Sequence, residues 1–375
     1  MITEINFFTY GDSTDASIWS NVPYLMSREL ELRGITLNRI NVKPNSLINR
    51  IANKILRTFG FPESYTFIRT PLFSWWVDKK IKRHVMKNKK SQFSIFMNFD
   101  MMDFWSQKPS LVFGDWTYDY LLRERFNEVT DKFQQKFIDR QARIFLNASI
   151  VLPLFEFTYA ELKDKFPSSN IKRIKGNVIN NLFTGTIDNI EKYIDGKFSS
   201  SNILFIGRSS YISGLRILAD AVQSFPMPVN VHIIGMNRED FPDAPVNFTF
   251  HGYLNKTIDN QRNKYYNLLS DAKLIINPNP VWAGYSSIIE AMYFFTPVIV
   301  TPFKQFKTEF GPSINFGKYC EPSSESVSSA IKGILNLSHK EYSAMSLNAH
   351  AAVADYTWSN YVDKMLEYME AVLKD

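Results

Sequence analysis

Near the carboxyl end, KLIINPNPVWAGYSSIIEAMYFFTPVIVT (residues 273–301) joins an apolar run, a Pro/Gly loop and a helix that should open near Ser286, with Glu290 one turn in. Free backbone N–H groups at a helix start attract phosphate, which makes Ser286 and Ser287 candidate anion contacts. A glutamate offers two acceptor oxygens, enough to hold both hydroxyls of a ribose. The plainer reading of Glu290 is a first-turn carboxylate that complements the helix dipole. In the first half, LVFGDWTYDYLLRERF (111–126) sets Asp115 directly behind an apolar run. There a carboxylate either takes a proton from a reacting hydroxyl or simply caps a helix. Asp12 and Asp15, behind the first apolar run, are secondary candidates.

These residues need elements to hold them. Residues 4–9 read as a buried strand, Ile18–Arg33 as a helix closed by Gly34, and Leu37–Val42 as a second strand. This is the opening of a doubly wound sheet. Further strands are expected at 93–99, 110–113 and 150–153, with helices at 131–149 and 157–166. The polar, weakly periodic residues 184–201 read as a linker. A second series then begins, with strands at 202–206, 229–234, 246–250, 273–276 and 298–300 and helices between them. The expectation is an α/β chain of two Rossmann-like domains facing a cleft. The first covers residues 1–183 and the second 202–355, and a closing helix over 356–375 returns to the first. Open sheets of this kind take ligands at their carboxyl edges.

The chain has 375 residues, more than one ordinary core accommodates, with 45% hydrophobic and 15% aromatic residues. Its one cysteine, Cys320, rules out an intrachain disulfide and a multi-cysteine metal site. The five histidines lack ligand spacing, and no D-x-D, G-x-S-x-G, Walker A or G-x-G-x-x-G motif is present. No metal and no tightly held cofactor are expected. The opening residues lack a basic secretory leader, and no apolar run is long enough to cross a bilayer. The formal charge is +6, yet residues 43–90 alone carry 12 Lys/Arg against Glu63 and Asp78. Within that stretch, 46–59 is amphipathic and basic, with Trp75 and Trp76 following. Such a segment either lies on an anionic membrane surface or is a solvated face covering the sheet. The expected location is cytoplasmic, peripheral at the inner face of the plasma membrane.

The second half resembles the donor domain of family 4 glycosyltransferases, a GT-B group. Glu290-Ala291-Met292 and Thr296-Pro297-Val298-Ile299 match the family's E-A-M … P-V-I tail, and Gly284 sits in its glycine-rich turn. Trp282 stands where the family has the glutamate that contacts the transferred sugar. LFIGRSSYISGLRILADAV (204–222) is similar to the element that opens the donor domain: Gly207 and Arg208 fill its first pair and Gly214 its later glycine, while Ser213 replaces the family lysine. VHIIGMN (231–237) and VNFTFHGYLN (246–255) resemble the two elements around the nucleobase. The resemblance implies donor contacts from Gly207, Arg208, Ser209, Tyr253, Leu254, Gly284, Ser286, Ser287 and Glu290. Arg208 would stabilise the departing diphosphate.

The function so implied is metal-independent transfer of a sugar from a nucleoside diphosphate to a hydroxyl, with retention at the anomeric carbon. The basic stretch points to a lipid-linked or glycolipid acceptor. Two rivals stand beside it: an inverting transferase with Asp115 as base, and a sugar-nucleotide-binding or membrane-adaptor protein without catalysis. Nucleic acid is not an expected partner.

Overall fold

The structure, a computed structural model, describes every residue except 1, 177, 224, 226–228, 280–284 and 375. The chain divides into two compact units, residues 1–177 with 358–375, and residues 178–357.

In the first unit, β1 (Glu4–Thr9), α1 (Val22–Leu32), β2 (Thr36–Asn41), α2 (Ser46–Thr58), α3 (Pro71–Lys87), β3 (Phe93–Phe96), β4 (Ser110–Gly114), α4 (Tyr118–Leu121), α5 (Lys132–Asn147), β5 (Ile150–Pro153) and α6 (Glu156–Lys165) follow in order. The strands form one parallel sheet in the order β2-β1-β3-β4-β5. Its inner strands β3, β4 and β5 are buried along their whole length, as expected of a parallel sheet covered on both faces, while the edge strand β2 is polar and mostly accessible. Phe8, Phe96, Val112 and Val151 join Phe73, Val77 and Ile81 of α3 and Ile144 of α5 in one core. Glycine at 114 is required where β4 ends, since a Cβ there would lie 2.8 Å from the Phe99 ring.

The second unit carries α7 (Ile190–Ser199), β6 (Asn202–Ile206), α8 (Ile212–Gln223), β7 (Asn230–Ile234), β8 (Phe248–Phe250), α9 (Asp259–Asp271), β9 (Leu274–Asn277), α10 (Ser286–Tyr293), β10 (Val298–Val300), α11 (Lys304–Phe310), β11 (Gly317–Tyr319), α12 (Ser324–Leu335) and α13 (His339–Ala351). Its sheet is parallel, in the order β11-β10-β9-β6-β7-β8. The last helix, α14 (Trp358–Val372), belongs to the first unit. There Tyr361 meets Phe113 edge-on, and Asp363 accepts a 2.6 Å bond from Arg33 of the residue pair closing α1.

Two sequence expectations change. Residues 184–201 are not simply a linker: α7 lies within them and buries Ile194 in the second core, with Tyr193 and Phe198 against it. The contact boundary therefore falls at 177/178 instead of 183. The helix expected from Ile18 begins only at Val22. Trp19, Ser20 and Asn21 all adopt left-handed backbone, at φ 42°, 52° and 73°, a conformation that costs non-glycine residues energy.

Candidate functional site

In open parallel sheets, ligands bind outside the carboxyl ends of the strands, where the strand order reverses. In the second unit that point lies between β6 and β9, since β7 and β8 extend to one side and β10 and β11 to the other. Arg208 follows β6 directly, and the loop to Ser286 follows β9. The donor-side candidates Arg208 and Ser286 thus follow the two strands that flank this point.

Close backbone packing builds that edge. The Gly207 amide donates to the Ile234 carbonyl at 3.0 Å, and the Gly235 amide donates to the Gly252 carbonyl at 2.7 Å. Gly235 has φ +101°, and a Cβ on it would lie 2.6 Å from the Gly207 carbonyl oxygen, so only glycine fits. On the other side, the first turn of α8 presses on the loop after β9. A Cβ on Gly214 would meet the Asn279 amide nitrogen at 2.9 Å, and the Ser213 hydroxyl donates to Asn279 Oδ1 at 2.8 Å. Ser213, at the family's lysine position, is a fastener between two loops. In the same helix, the Arg216 guanidinium lies over Phe241, 5.0 Å from the ring centre.

Arg208 is exposed, and its guanidinium sits 5.5 Å above the Tyr253 ring. Among the described residues no carboxylate pairs with it. Ser209 is exposed beside it, and Leu254 is buried while Tyr253 is exposed. The same loop continues to Lys256, which reaches Glu290. Tyr253 and Lys256 thus tie the Arg208 side of the edge to the Glu290 side. Ser286 and Ser287 open α10 and are half-buried. Gly284 and Trp282 lie outside the described residues.

Glu290 is engaged by its own neighbours. It is 3% exposed, and its carboxylate takes bonds from Lys256 Nζ at 2.9 and 3.0 Å, the Tyr265 hydroxyl at 2.8 Å and the Tyr266 hydroxyl at 2.9 Å. Each oxygen already accepts two donors, which fills its lone pairs. Neither oxygen is left for a ribose unless the ion pair opens. Both tyrosines are held well above their ordinary pKa, by burial first and by the Glu290 charge second. The sequence reading missed Lys256, Tyr265 and Tyr266. The adjacent tyrosines read as ordinary amphipathic positions of a helix, and nothing local marks them as carboxylate partners.

In the first unit Asp115 follows β4 at the carboxyl edge. It is half-buried, and its Oδ1 accepts the Trp116 amide at 2.8 Å. Its carboxyl is pushed up to about 6 by desolvation. Bonds from its own backbone and from the Trp116 and Trp19 side chains oppose that rise only in part. Trp19 is delivered by the left-handed turn before α1 and leans on Phe113 at 5.7 Å. Trp116 packs among Tyr120, Phe155 and Phe157. The result is an aromatic-walled carboxyl with its proton poised near neutrality. Asp12 and Asp15 instead serve turns: Asp12 accepts from the Thr14 amide and hydroxyl, and Asp15 from the Ser17 amide. Those bonds lower the Asp12 pKa.

A second buried carboxyl was not anticipated. Asp100 follows β3, the strand beside β1 at which this sheet reverses order. It is also raised to about 6 by burial, against the pull of Arg140 and Arg69 and of a bond with Tyr10. Its Oδ1 is buried without a hydrogen-bond partner. Among the described residues, no three His, Cys, Asp or Glu side chains group closely enough to hold a metal ion.

No protein-family profile matches the sequence, and no curated protein matches it. Solved structures do match in fold over the whole chain. Sucrose-phosphate synthase from Thermosynechococcus elongatus aligns at a TM-score of 0.69 and 15% identity, over 99% of this chain and 99% of its own. A glycosyltransferase from Rickettsia africae aligns at 0.68 and 15%, over 100% and 99%. HepE from Anabaena, in complex with UDP and glucose, aligns at 0.62 and 14%, over 99% and 100%. The chain has the two-domain Rossmann-like fold of these GT-B glycosyltransferases.

Proposed function

We propose that this chain is a glycosyltransferase that moves a sugar from a nucleoside diphosphate to a hydroxyl acceptor, without a metal and with retention at the anomeric carbon. The observation that carries the reading is Arg208, a guanidinium without a carboxylate partner among the described residues, at the switch point of the second sheet. It stands over Tyr253 and beside glycine-packed loops that let a diphosphate approach the backbone. A fixed cation there stabilises the charge that grows on the leaving diphosphate. Gly207, Ser209, Tyr253, Leu254, Ser286 and Ser287 form the rest of the donor seat, and uridine is the base to try first because HepE was solved with UDP. Glu290 holds the seat's shape through Lys256 and the two tyrosines.

The acceptor is a glycan or a lipid-linked intermediate, and residues 43–90 bring the protein to an anionic membrane at the cytoplasmic face. Inversion is a second reading, favoured by one observation. Asp115 carries a carboxyl poised near 6, suited to removing a hydroxyl proton near neutral pH. The test begins with a thermal-shift screen of nucleotide-sugars, since a ligand of the native state raises its melting temperature. Transfer is then assayed with the ligand that shifts, and NMR of the product reads the anomeric configuration. Arg208→Ala should lower kcat by about a hundredfold or more, as loss of one charge-stabilising donor does. Unchanged turnover in that variant, or no nucleotide-sugar that shifts the melting, defeats the proposal.

A further inference from the structure

The second unit has a groove at the edge of its sheet opposite Arg208. Asn202 opens β6, and Arg208 stands just past the end of the same strand, so the two lie on opposite edges. Around Asn202 the groove encloses about 670 Å³. One wall is a face of α7 that carries Lys192, Tyr193 and Gly196 at helical spacing. The other wall is the end of α9, Ser270 and Asp271.

Gly196 keeps that groove open. Glycine inside a helix weakens it, yet neither packing nor backbone conformation calls for one here. A Cβ at 196 would meet no atom of the described residues within 4 Å, and its φ is not positive. What its missing side chain leaves is space. Tyr193 joins the two walls. Its hydroxyl donates to Ser270 Oγ at 3.1 Å, Phe295 meets its ring edge-on at 6.1 Å, and the buried Lys197 amine lies 5.0 Å from the ring centre. Burial first, and the Asp271 charge after it, push the phenol up to about 12 against the Ser270 bond, so the ring stays neutral. Lys192 and Asp271 are exposed, and among the described residues neither has an ion-pair partner.

The lining selects a class of ligand. Asp188 and Asp271 outnumber Lys192, which opposes an anion, and Lys192 opposes a cation. Among the described residues no third acid joins the two to hold a metal ion. Ile187 and Tyr193 are the only large apolar side chains in the wall, too few to seat an acyl chain or the apolar face of a peptide helix. A neutral polyhydroxylated molecule fits. The carboxylates accept its hydroxyl protons, Lys192 and the Asn202 amide donate to its oxygens, and a fixed aromatic ring packs against its C–H face. The volume lies within the range of small-molecule sites.

We infer that this groove binds a neutral oligosaccharide, as a second carbohydrate site on the edge of the unit away from the donor seat. Glycan held there keeps the rest of its chain near the protein at a raised effective concentration. The binding goes beyond the transferase reading, since it needs neither nucleotide nor turnover. Only its use in retaining an acceptor rests on that reading.

The experiment is calorimetric titration of the full chain, without nucleotide, with maltotriose, cellotriose and triacetylchitotriose, and with glucose 6-phosphate as an anionic sugar. Three variants accompany the wild type. G196L fills the groove without removing a contact, D271A removes an exposed acceptor, and E191A changes an exposed charge on the same helix outside the groove. At least one of the neutral trisaccharides should bind the wild type. G196L and D271A should weaken that binding by about tenfold or more, and E191A by less than about twofold. The melting temperature of G196L should hold or rise, because leucine favours a helix over glycine. Binding of none of the three trisaccharides overturns the assignment. So does wild-type affinity in G196L, which would put the sugar elsewhere, or tighter binding of glucose 6-phosphate, which would make the groove an anion site. All three variants should keep the wild-type thermal shift with nucleotide-sugars. Lost trisaccharide binding with that shift retained is failure of this inference alone, and trisaccharide binding in a protein that no nucleotide-sugar shifts is failure of the transferase reading alone.

Discussion

The two units handle buried charge at their sheet edges in opposite ways. The first raises its carboxyls by burial: Asp100 and Asp115 both sit near 6, and among the described residues one oxygen of Asp100 has no hydrogen-bond partner. The second saturates its carboxylate, since Glu290 is gripped by a lysine and two tyrosine hydroxyls. Its buried amine is met by neutral acceptors instead of a carboxylate. Lys197 is fully buried, donates to the Leu269 carbonyl at 2.7 Å and Thr296 Oγ1 at 2.9 Å, and is pushed down to about 7 by desolvation. An under-satisfied acid near neutrality is suited to move or share a proton. A saturated one is suited to hold a shape. On the proposed reading, proton chemistry would belong to the first unit and the rigid donor seat to the second.

The strongest way to break this contrast is to remove each acid in turn. Asp115→Asn should lower kcat at least tenfold with little change in donor affinity. A fall of about a hundredfold to ten-thousandfold, joined to an inverted product, makes Asp115 the general base. A smaller fall with a retained product makes it an acceptor-orienting residue. Full activity would remove the first unit from the chemistry. Glu290→Ala should act on folding first. It strands Lys256, whose side chain is 12% exposed, and orphaning one member of a buried pair costs about 3–5 kcal/mol. Chemical denaturation reads that cost. Glu290→Ala at wild-type stability with lost donor binding would restore the ribose contact and dissolve the contrast.

The sequence carried the sheet framework well and its chemistry unevenly. The strands at 202–206 and 298–300 and the start of α10 at Ser286 were legible, because buried parallel strands are unbroken apolar runs and the Pro/Gly loop marks the turn. β11 was not, being three residues of an edge strand, GKY, without an apolar signal. Helix α7 was hidden by its polarity, for a lysine such as Lys197 at the centre of a core contradicts every local cue. Asp115 stood out because it follows a strand directly, and Arg208 because it fills a motif pair of the resembled donor domain. Lys256, Tyr265 and Tyr266 were not found as Glu290's partners, since they arrive from another loop and helix that only the fold brings near. Trp19 escaped because its left-handed backbone is imposed by its surroundings, not by its residue type.

The gentlest probe of the contrast is pH, because the two units titrate in separate windows with opposite signs. Asp115 has a folded pKa raised from 3.8 to about 6. Its contribution to stability is present below pH 3.8 and is lost as pH rises through 6, where the folded carboxyl must ionise against its burial. Lys197 has a folded pKa lowered from 10.5 to about 7. Its contribution is present above 10.5 and is lost as pH falls through 7, where the buried amine must charge. Between pH 7 and 9 the unfolded lysine holds a proton that the folded one has released, so stability should climb by about 1.4 kcal/mol per pH unit from this group alone. Lys197→Met should flatten that climb, whatever its absolute stability after losing the bonds to Leu269 and Thr296. Asp115→Asn should leave the climb intact and make the decline expected between pH 4 and 6 shallower, the remainder coming from Asp100. Melting curves of the three proteins across both windows read the two slopes independently. A Lys197→Met protein that keeps the wild-type slope would mean that the amine stays charged in the core, held by the Leu269 and Ala272 carbonyls and by Asp271. The second unit would then tolerate buried charge as the first does.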